Sequence, residues 1–147
     1  MSTGAPTVDL DGVPQSRNTR EMAFSAWLGL SDGVADRREA LFGGVGAVRV
    51  WNLLGTGRAE PFSAVLACEL EPGASVGPHV QQRDPEIVLG VEGSGVAEVA
   101  GTAYPLIPGA VIHVPHGKRL SLQNASATDP LRYLIIKSKQ ALAESPP

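Results

Sequence analysis

The sequence predicts an all-β protein, folded as a sandwich or a barrel of short strands. Seventeen glycines and twelve prolines among 147 residues provide many turns. Eight or nine short apolar or alternating stretches follow one another from residue 45 onward, each ended by Gly or Pro. Hydrophobic residues make up 43% of the chain, so its length and composition suit one domain with a real core.

The residues before the strands predict a short helical extension over residues 18–44. Asn18 or Thr19 is suited to cap a first helix through REMAFSAWLGL, whose apolar residues form a fair but imperfect face. Ser31 or Asp32 is suited to cap a second helix through VADRREALF, which a Gly-Gly pair would end. We expect these helices to pack outside a sheet or across a dimer.

The strands are expected between residues 45 and 139. In chain order, the predicted stretches are VGAVRVWNLL, FSAVLACELEPG, SVGPHVQ, EIVLGV, GVAEVAG, TAYPLIPG, AVIHVP, KRLSLQN and PLRYLIIKS. The short EGS linker between EIVLGV and GVAEVAG predicts a hairpin at that point. Residues 1–17 lack periodicity and are expected to form a flexible tail, and residues 140–147 a C-terminal tail.

Composition argues against several classes of function. The net charge of -3 and the absence of a basic run disfavour nucleic-acid binding. Cys68 is the single cysteine, which excludes an intramolecular disulfide and a CxxC zinc site, and its apolar neighbours predict a buried thiol. The first residues lack an apolar signal region and no run is long enough to span a bilayer, so we expect a cytoplasmic protein without membrane contact.

A mixed set of nitrogen and oxygen donors lies near the middle of the chain. In a strand, His79 and Gln81 point to the same face, and Glu86 begins the next strand after a turn at the Asp-Pro pair. The three side chains can therefore converge on one cavity. One imidazole, one amide oxygen and one carboxylate suit a divalent ion such as Fe, Mn, Ni, Co or Zn, held weakly because an amide is a poor ligand.

The spacing around these residues resembles the two motifs of the cupin superfamily. The first motif is matched by Gly73, five residues, His79, one residue, Gln81, four residues, Glu86, six residues and Gly93. The second is matched by Gly109, five residues, Pro115, one residue, Gly117, two residues, Leu120, three residues and Asn124. The resemblance covers about residues 46–137. It implies a cupin barrel over residues 45–139: an antiparallel double-stranded β-helix, or jelly roll, with an internal pocket and often a dimeric assembly.

The same resemblance shows where this chain departs from the pattern. The family's metal is usually held by two histidines and a glutamate of the first motif and a histidine of the second. His79 and Glu86 occupy matching positions, whereas Gln81 and Leu120 replace the other two histidines. Three possibilities follow: a barrel that binds no metal, a weak site through the remaining donors, or a rebuilt site that recruits another residue.

His113 is the candidate for such a rebuilt site. It lies two residues before Pro115, in a strand that the resemblance places beside the one bearing Glu86. If its ring points inward, it can act as a ligand or in proton transfer. Strand parity leaves its direction open because both neighbouring residues before it are apolar. The candidate pocket residues are therefore His79, Gln81, Glu86, His113 and Leu120, and the candidate catalytic residues are His79, Glu86 and His113.

Three functions remain open at this point. The preferred one is a homodimeric cupin whose pocket binds a small molecule, with Leu120 forming part of an apolar wall. The second is a divalent-metal-dependent enzyme of the dioxygenase, isomerase or lyase type that uses His79, Gln81 and Glu86. The third is a non-catalytic dimeric scaffold. The sequence identifies neither a substrate nor a reaction.

Overall fold

Two antiparallel sheets enclose the core in the computed structural model, which describes residues 35–55, 57–81 and 83–139. Within these residues, the chain forms β1 (Asp36–Glu39), a 3-10 turn (Leu41–Gly43), β2 (Ala47–Asn52), β3 (Phe62–Leu70), β4 (Ser75–Val80), β5 (Glu86–Glu92), β6 (Gly95–Val99), β7 (Thr102–Leu106), β8 (Val111–Val114), β9 (Arg119–Asn124) and β10 (Leu131–Ser138). Eight of the nine predicted stretches contain one of the strands β2 to β10, and EIVLGV covers all of β5 except Glu92. The predicted all-β class is confirmed.

The strand order is that of two sheets built from distant parts of the chain. The larger sheet has the order β1-β2-β3-β10-β5-β8, and the smaller has the order β4-β9-β6-β7. Alternation between buried and exposed residues is clearest in β6, where Gly95, Ala97 and Val99 are buried and Val96 and Glu98 are exposed. Because each strand turns one face inward, the main core draws residues from both sheets.

The second predicted helix is wrong. Residues Asp36–Glu39 form an edge strand that pairs with β2, and only one 3-10 turn follows. Ala40 and Phe42 have φ values of 51° and 53°, in the left-handed region, so a regular α-helix cannot run through them. The remainder of the helical extension and both predicted tails lie outside the described residues.

The predicted hairpin between β5 and β6 is also wrong, because these strands belong to different sheets. In the larger sheet, β5 lies between β10 and β8, so both of its edges are already paired. Gly93 turns the chain from one sheet to the other with a φ of 94°. A Cβ atom at Gly93 would lie 2.5 Å from the carbonyl oxygen of Pro130, so the close approach requires glycine.

The buried Asn124 side chain fastens the end of β9 to neighbouring loops. Its Nδ2 donates to carbonyl oxygens of Leu70, Glu71 and Asp129 at 3.1, 3.0 and 2.8 Å. These contacts hold the sheets together at the end of the barrel opposite to His79 and Glu86. In the part of the chain that the structure describes, no helix has the length and apolar character needed to cross a membrane.

Candidate functional site

A cavity of about 150 Å³ lies inside the barrel, between the two sheets. Apolar side chains of β2, β3, β4, β9 and β10 form most of its wall, among them Val48, Leu66, Val76, Leu120 and Ile135. His79, Glu86 and Lys137 bring polar groups to the same lining. The cavity is therefore mainly apolar, with an imidazole, a carboxyl group and an ammonium group in its wall.

Glu86 is the most deeply buried of these ionisable groups. It begins β5 and is 3% exposed, and its Oε2 atom has no hydrogen-bond partner. Its Oε1 atom lies 3.9 Å from Nζ of Lys137, its register partner on β10. Burial raises the pKa of the Glu86 carboxyl from 4.5 to about 7, and the nearby ammonium opposes part of this rise.

His79 is held in a defined orientation by contacts on two sides. Its Nδ1 lies 3.0 Å from the carbonyl oxygen of Gly77, and its ring stacks on Phe42 with a centroid distance of 4.1 Å. Burial lowers the pKa of the imidazole below its usual 6.5, so the ring is neutral at pH 7. Because a carbonyl only accepts, Nδ1 carries the proton and Nε2 is left as an acceptor.

Gln81 lies just beyond the end of β4, so strand parity with His79 does not apply to it. Its side chain is 5% exposed and lines an outer cleft, together with Phe42, His79 and Lys137. Phe42, His79 and Lys137 also line the inner cavity, so the cavity and the cleft adjoin at these residues. The Nε2 atom of Gln81 is buried without a hydrogen-bond partner.

The structure separates His113 from the other candidate residues. On β8, Ile112 and Val114 are buried, whereas His113 is exposed and pairs with the exposed Ile87 of β5. The inward orientation considered for His113 is therefore wrong, because the period of two places it on the outer face. Leu120, in contrast, is fully buried, lines the cavity and is the register partner of His79.

Sequence reasoning missed two residues of the site. Lys137 faces inward with Tyr133 and Ile135, because the three residues occupy alternate positions along β10. It was missed because a lysine near the end of a strand is usually exposed to solvent. Phe42 reaches His79 from a left-handed backbone position in the 3-10 turn, which no local pattern signals. Parity along β10 was the available signal for Lys137.

Deeper in the cavity, Cys68 and Tyr133 form a buried neutral pair. The two side chains are hydrogen-bonded to each other and are both about 1% exposed. Burial raises the pKa of the thiol and of the phenol, and the nearby Glu86 carboxylate raises both further. Cys68 is therefore a structural thiol, as its apolar neighbours predict.

Comparison with known families identifies this barrel. The family model described as a cupin domain matches residues 66–137, which include the cavity-lining strands β4, β5 and β9 and most of β3 and β10. Solved cupin structures match the two-sheet architecture as well. The chain is a member of the cupin superfamily.

Several solved structures share this cupin fold. A predicted oxalate decarboxylase from Thermotoga maritima is 24% identical with a TM-score of 0.65, and the match covers 73% of this chain and 93% of that one. A cupin 2 conserved barrel domain protein from Salinispora arenicola is 22% identical with a TM-score of 0.55, over 63% and 76% of the chains. KdgF from a Halomonas species is 19% identical with a TM-score of 0.54, over 71% and 87%. No curated protein sequence matches this chain.

The donor set of this cupin does not fit a resident divalent metal. Among the described residues, no group of three His, Cys, Asp or Glu side chains is close enough together to hold an ion. Leu120 presents methyl groups where a third strong ligand would face His79, and the ammonium of Lys137 lies beside Glu86. Gln81, the third ligand that the sequence offered, lines the outer cleft and not the cavity that Glu86 lines. A cation bound by His79 and Glu86 alone would have too few ligands and a like charge nearby.

Proposed function

We propose that this cupin binds a small molecule in its barrel cavity and does so without a metal ion. The observation that carries the proposal is the orphaned Oε2 of Glu86, a buried polar atom on the wall of an otherwise apolar chamber. Leaving such an atom unsatisfied costs free energy, which a ligand with a hydrogen-bond donor recovers. An apolar lining with a few polar anchors is typical of small-molecule sites.

The cavity size limits the ligand. Its volume of about 150 Å³ is similar to that of an engineered apolar cavity in another protein, which binds benzene. The occupant is therefore a compound of about six to ten non-hydrogen atoms, with further room only where the cavity meets the outer cleft.

Acid–base catalysis is the second candidate function, and two groups favour it. The unprotonated Nε2 of His79 is a potential base, and the carboxyl of Glu86 has a pKa near neutrality, which suits proton transfer at physiological pH. A metal-free enzyme acting on a carbonyl compound or a sugar is consistent with this pair.

The first experiment measures metal content by elemental mass spectrometry, on protein purified without an affinity tag or chelator. We expect no stoichiometric metal, before or after incubation with excess Zn²⁺, Mn²⁺ or Co²⁺. The matched variant is Leu120→His, which places a second imidazole opposite His79, so that His79, Glu86 and the new side chain offer three ligands, and it should increase zinc affinity. Stoichiometric metal in the wild type that is lost in His79→Ala would contradict the metal-free proposal.

The second experiment tests ligand binding directly with a thermal-shift screen of small polar compounds. We expect hits that raise the melting temperature of the wild type but not that of Leu120→Trp, in which the larger side chain fills the cavity. Hits that stabilise both proteins equally would place binding outside the barrel and contradict the proposal.

A further inference from the structure

The polar groups around the junction of cavity and cleft form two complementary sets. Nζ of Lys137 and the unpartnered Nε2 of Gln81 are donors, and both residues line the outer cleft. The unpartnered Oε2 of Glu86 is an acceptor on the cavity wall. Gln81 and Glu86 are both more than nine-tenths buried, so these groups are poorly placed to be satisfied by bulk solvent.

Lys137 supplies the positive charge at this junction. Among the described residues that line the cavity it is the cation at pH 7, because burial keeps the His79 imidazole neutral. Its Nζ lies 3.9 Å from Oε1 of Glu86, which is beyond hydrogen-bonding distance. The ammonium therefore retains N–H groups that can donate hydrogen bonds to a ligand oxygen. A partly desolvated ammonium binds a carboxylate more strongly than it binds a neutral oxygen.

We propose that the ligand is a small 2-hydroxycarboxylate with a short apolar tail, and that Lys137 provides the charge that a metal ion would otherwise supply. The carboxylate accepts hydrogen bonds from Lys137 and Gln81 at the junction. The adjacent hydroxyl donates to Oε2 of Glu86, and the tail packs against the apolar wall that includes Leu120. This proposal rests on the proposed function, since it assigns a ligand class to the same cavity.

Other ligand classes leave one of these groups unmatched. A cationic ligand would meet the Lys137 ammonium and the Gln81 amide donor, both of the wrong polarity. A simple carboxylate would leave Oε2 of Glu86 without a donor, and a neutral alcohol would leave the ammonium without a charged acceptor at hydrogen-bonding distance. The 2-hydroxycarboxylate satisfies the donors and the acceptor together, with adjacent functional groups on a molecule small enough for the cavity.

The test is isothermal titration calorimetry of the full chain at pH 8, above the pKa of about 7 of the Glu86 carboxyl, with three matched probes. 2-Hydroxy-3-methylbutanoate carries both polar groups, 3-methylbutanoate lacks the hydroxyl, and 3-methylbutane-1,2-diol replaces the carboxylate by a neutral alcohol. We expect the hydroxy acid to bind at least about tenfold more tightly than either analogue, since each lost contact involves a charged group.

Two charge-removing variants locate the binding site. Lys137→Met should weaken binding of the hydroxy acid at least about tenfold and abolish its advantage over the diol. Lys118→Met removes the same charge from an exposed turn that lines neither cavity nor cleft, and it should bind like the wild type. Thermal unfolding of both variants checks that they fold, and the three-probe comparison on the wild type does not depend on either variant.

The outcomes separate this inference from the function on which it rests. Equal binding of the hydroxy acid and the diol, or of the hydroxy acid and 3-methylbutanoate, would overturn the ligand class. Failure of the hydroxy acid to bind, together with cavity-dependent hits in the thermal-shift screen, would overturn the ligand class and leave small-molecule binding standing. Absence of any cavity-dependent ligand would overturn both.

Discussion

Glu86 shows how one residue position combines a stability cost with a potential function. Its carboxyl is almost fully buried, has one oxygen without a partner and faces an ammonium at 3.9 Å. A buried carboxylate is disfavoured unless it is well paired, and this pair is too long to compensate fully. The protein therefore retains a group that weakens the empty fold, a pattern common at binding and catalytic sites.

The pH dependence of stability should reveal this cost. The folded state raises the pKa of Glu86 from 4.5 to about 7, so between these values it holds a proton that the unfolded chain has released. The free energy of unfolding contributed by this group therefore falls as pH rises through that range. We expect a loss of about 3 kcal/mol between pH 4 and pH 8, measured by urea unfolding at several pH values.

Two substitutions isolate this contribution. Glu86→Gln cannot ionise, so its stability should fall less with pH than that of the wild type by about 3 kcal/mol. Glu98→Gln, at an exposed position of β6, should keep the wild-type profile. A Glu86→Gln profile that parallels the wild type would show that the Glu86 carboxyl titrates normally.

At the scale of elements, the 3-10 turn and β4 pack backbone against backbone, which is possible because glycines stand at the contact. A Cβ atom at Gly77 would lie 2.0 Å from the carbonyl oxygen of Phe42, and one at Gly44 would lie 2.1 Å from that of Ser75. Two backbone segments therefore approach each other more closely than any other residue type allows. This approach places the Phe42 ring over His79 at the edge of the cavity.

Gly77→Ala should separate the two elements. The added methyl group meets backbone atoms that cannot move away easily, so we expect a loss of about 1–3 kcal/mol in the free energy of unfolding. Displacing Phe42 exposes His79 and moves its pKa upward toward 6.5, since burial is what lowers it. Denaturant unfolding and an NMR titration of the imidazole measure the two effects.

Gly101→Ala, in the turn between β6 and β7, is the control for Gly77→Ala. Gly101 has a φ of 88°, and no neighbouring atom lies within 4 Å of the position that a Cβ atom would take, so alanine there adds backbone strain without a clash. It should cost about 1–2 kcal/mol and leave the His79 titration unchanged. An unchanged His79 pKa in Gly77→Ala would show that the glycine pair does not position Phe42.

At the scale of the whole molecule, the outer face of the larger sheet carries a second cluster of apolar residues. Trp51, Leu89 and Val91 are partly exposed on this face and pack around the buried Ala67 and Leu134. Val111 pairs with Leu89 at the edge of the sheet and is 65% exposed. Apolar area of this kind on an outer face is typical of a protein–protein interface.

We therefore expect a homodimer, with about twice the chain mass of 15.3 kDa in sedimentation or light-scattering measurements. Val111→Glu should shift the protein toward the monomer, because the interface would bury a charge. Val96→Glu, on the exposed face of the smaller sheet, should leave the assembly unchanged. A wild-type protein that is monomeric at high concentration would contradict this expectation.

The strands of this protein were predictable because their signals are local. Alternation or a short apolar run, with Gly or Pro near most of the ends, is a property of adjacent residues, and it identified β2 to β10. Edge strand β1 was missed because Asp36–Glu39 carries four charged residues that gain strand structure only by pairing with β2. The pairing partner, not the segment itself, determined its conformation.

The candidate site was predictable only in part, for the same reason. Motif spacing selected His79, Glu86 and Leu120, which the fold brings to one cavity. It did not reveal Lys137, whose side chain is close to Glu86 because β10 returns beside β5 across 51 residues of chain. It also left His113 undecided, until the pairing of β8 with β5 placed its ring outside.

The sequence by itself determined the all-β class and the positions of nine strands, since each is a property of residue type and spacing. Its resemblance to the cupin motifs added the expectation that Gln81 and Leu120 stand where metal-ligating histidines are usual. Only the tertiary structure decided which strands share a sheet, that β5 and β6 are not a hairpin, and that a lysine lies beside the buried glutamate. Sheet order depends on contacts between distant segments, and burial of a charge depends on everything packed around it. The charges and hydrogen-bonding groups of this cavity therefore depend on the tertiary structure.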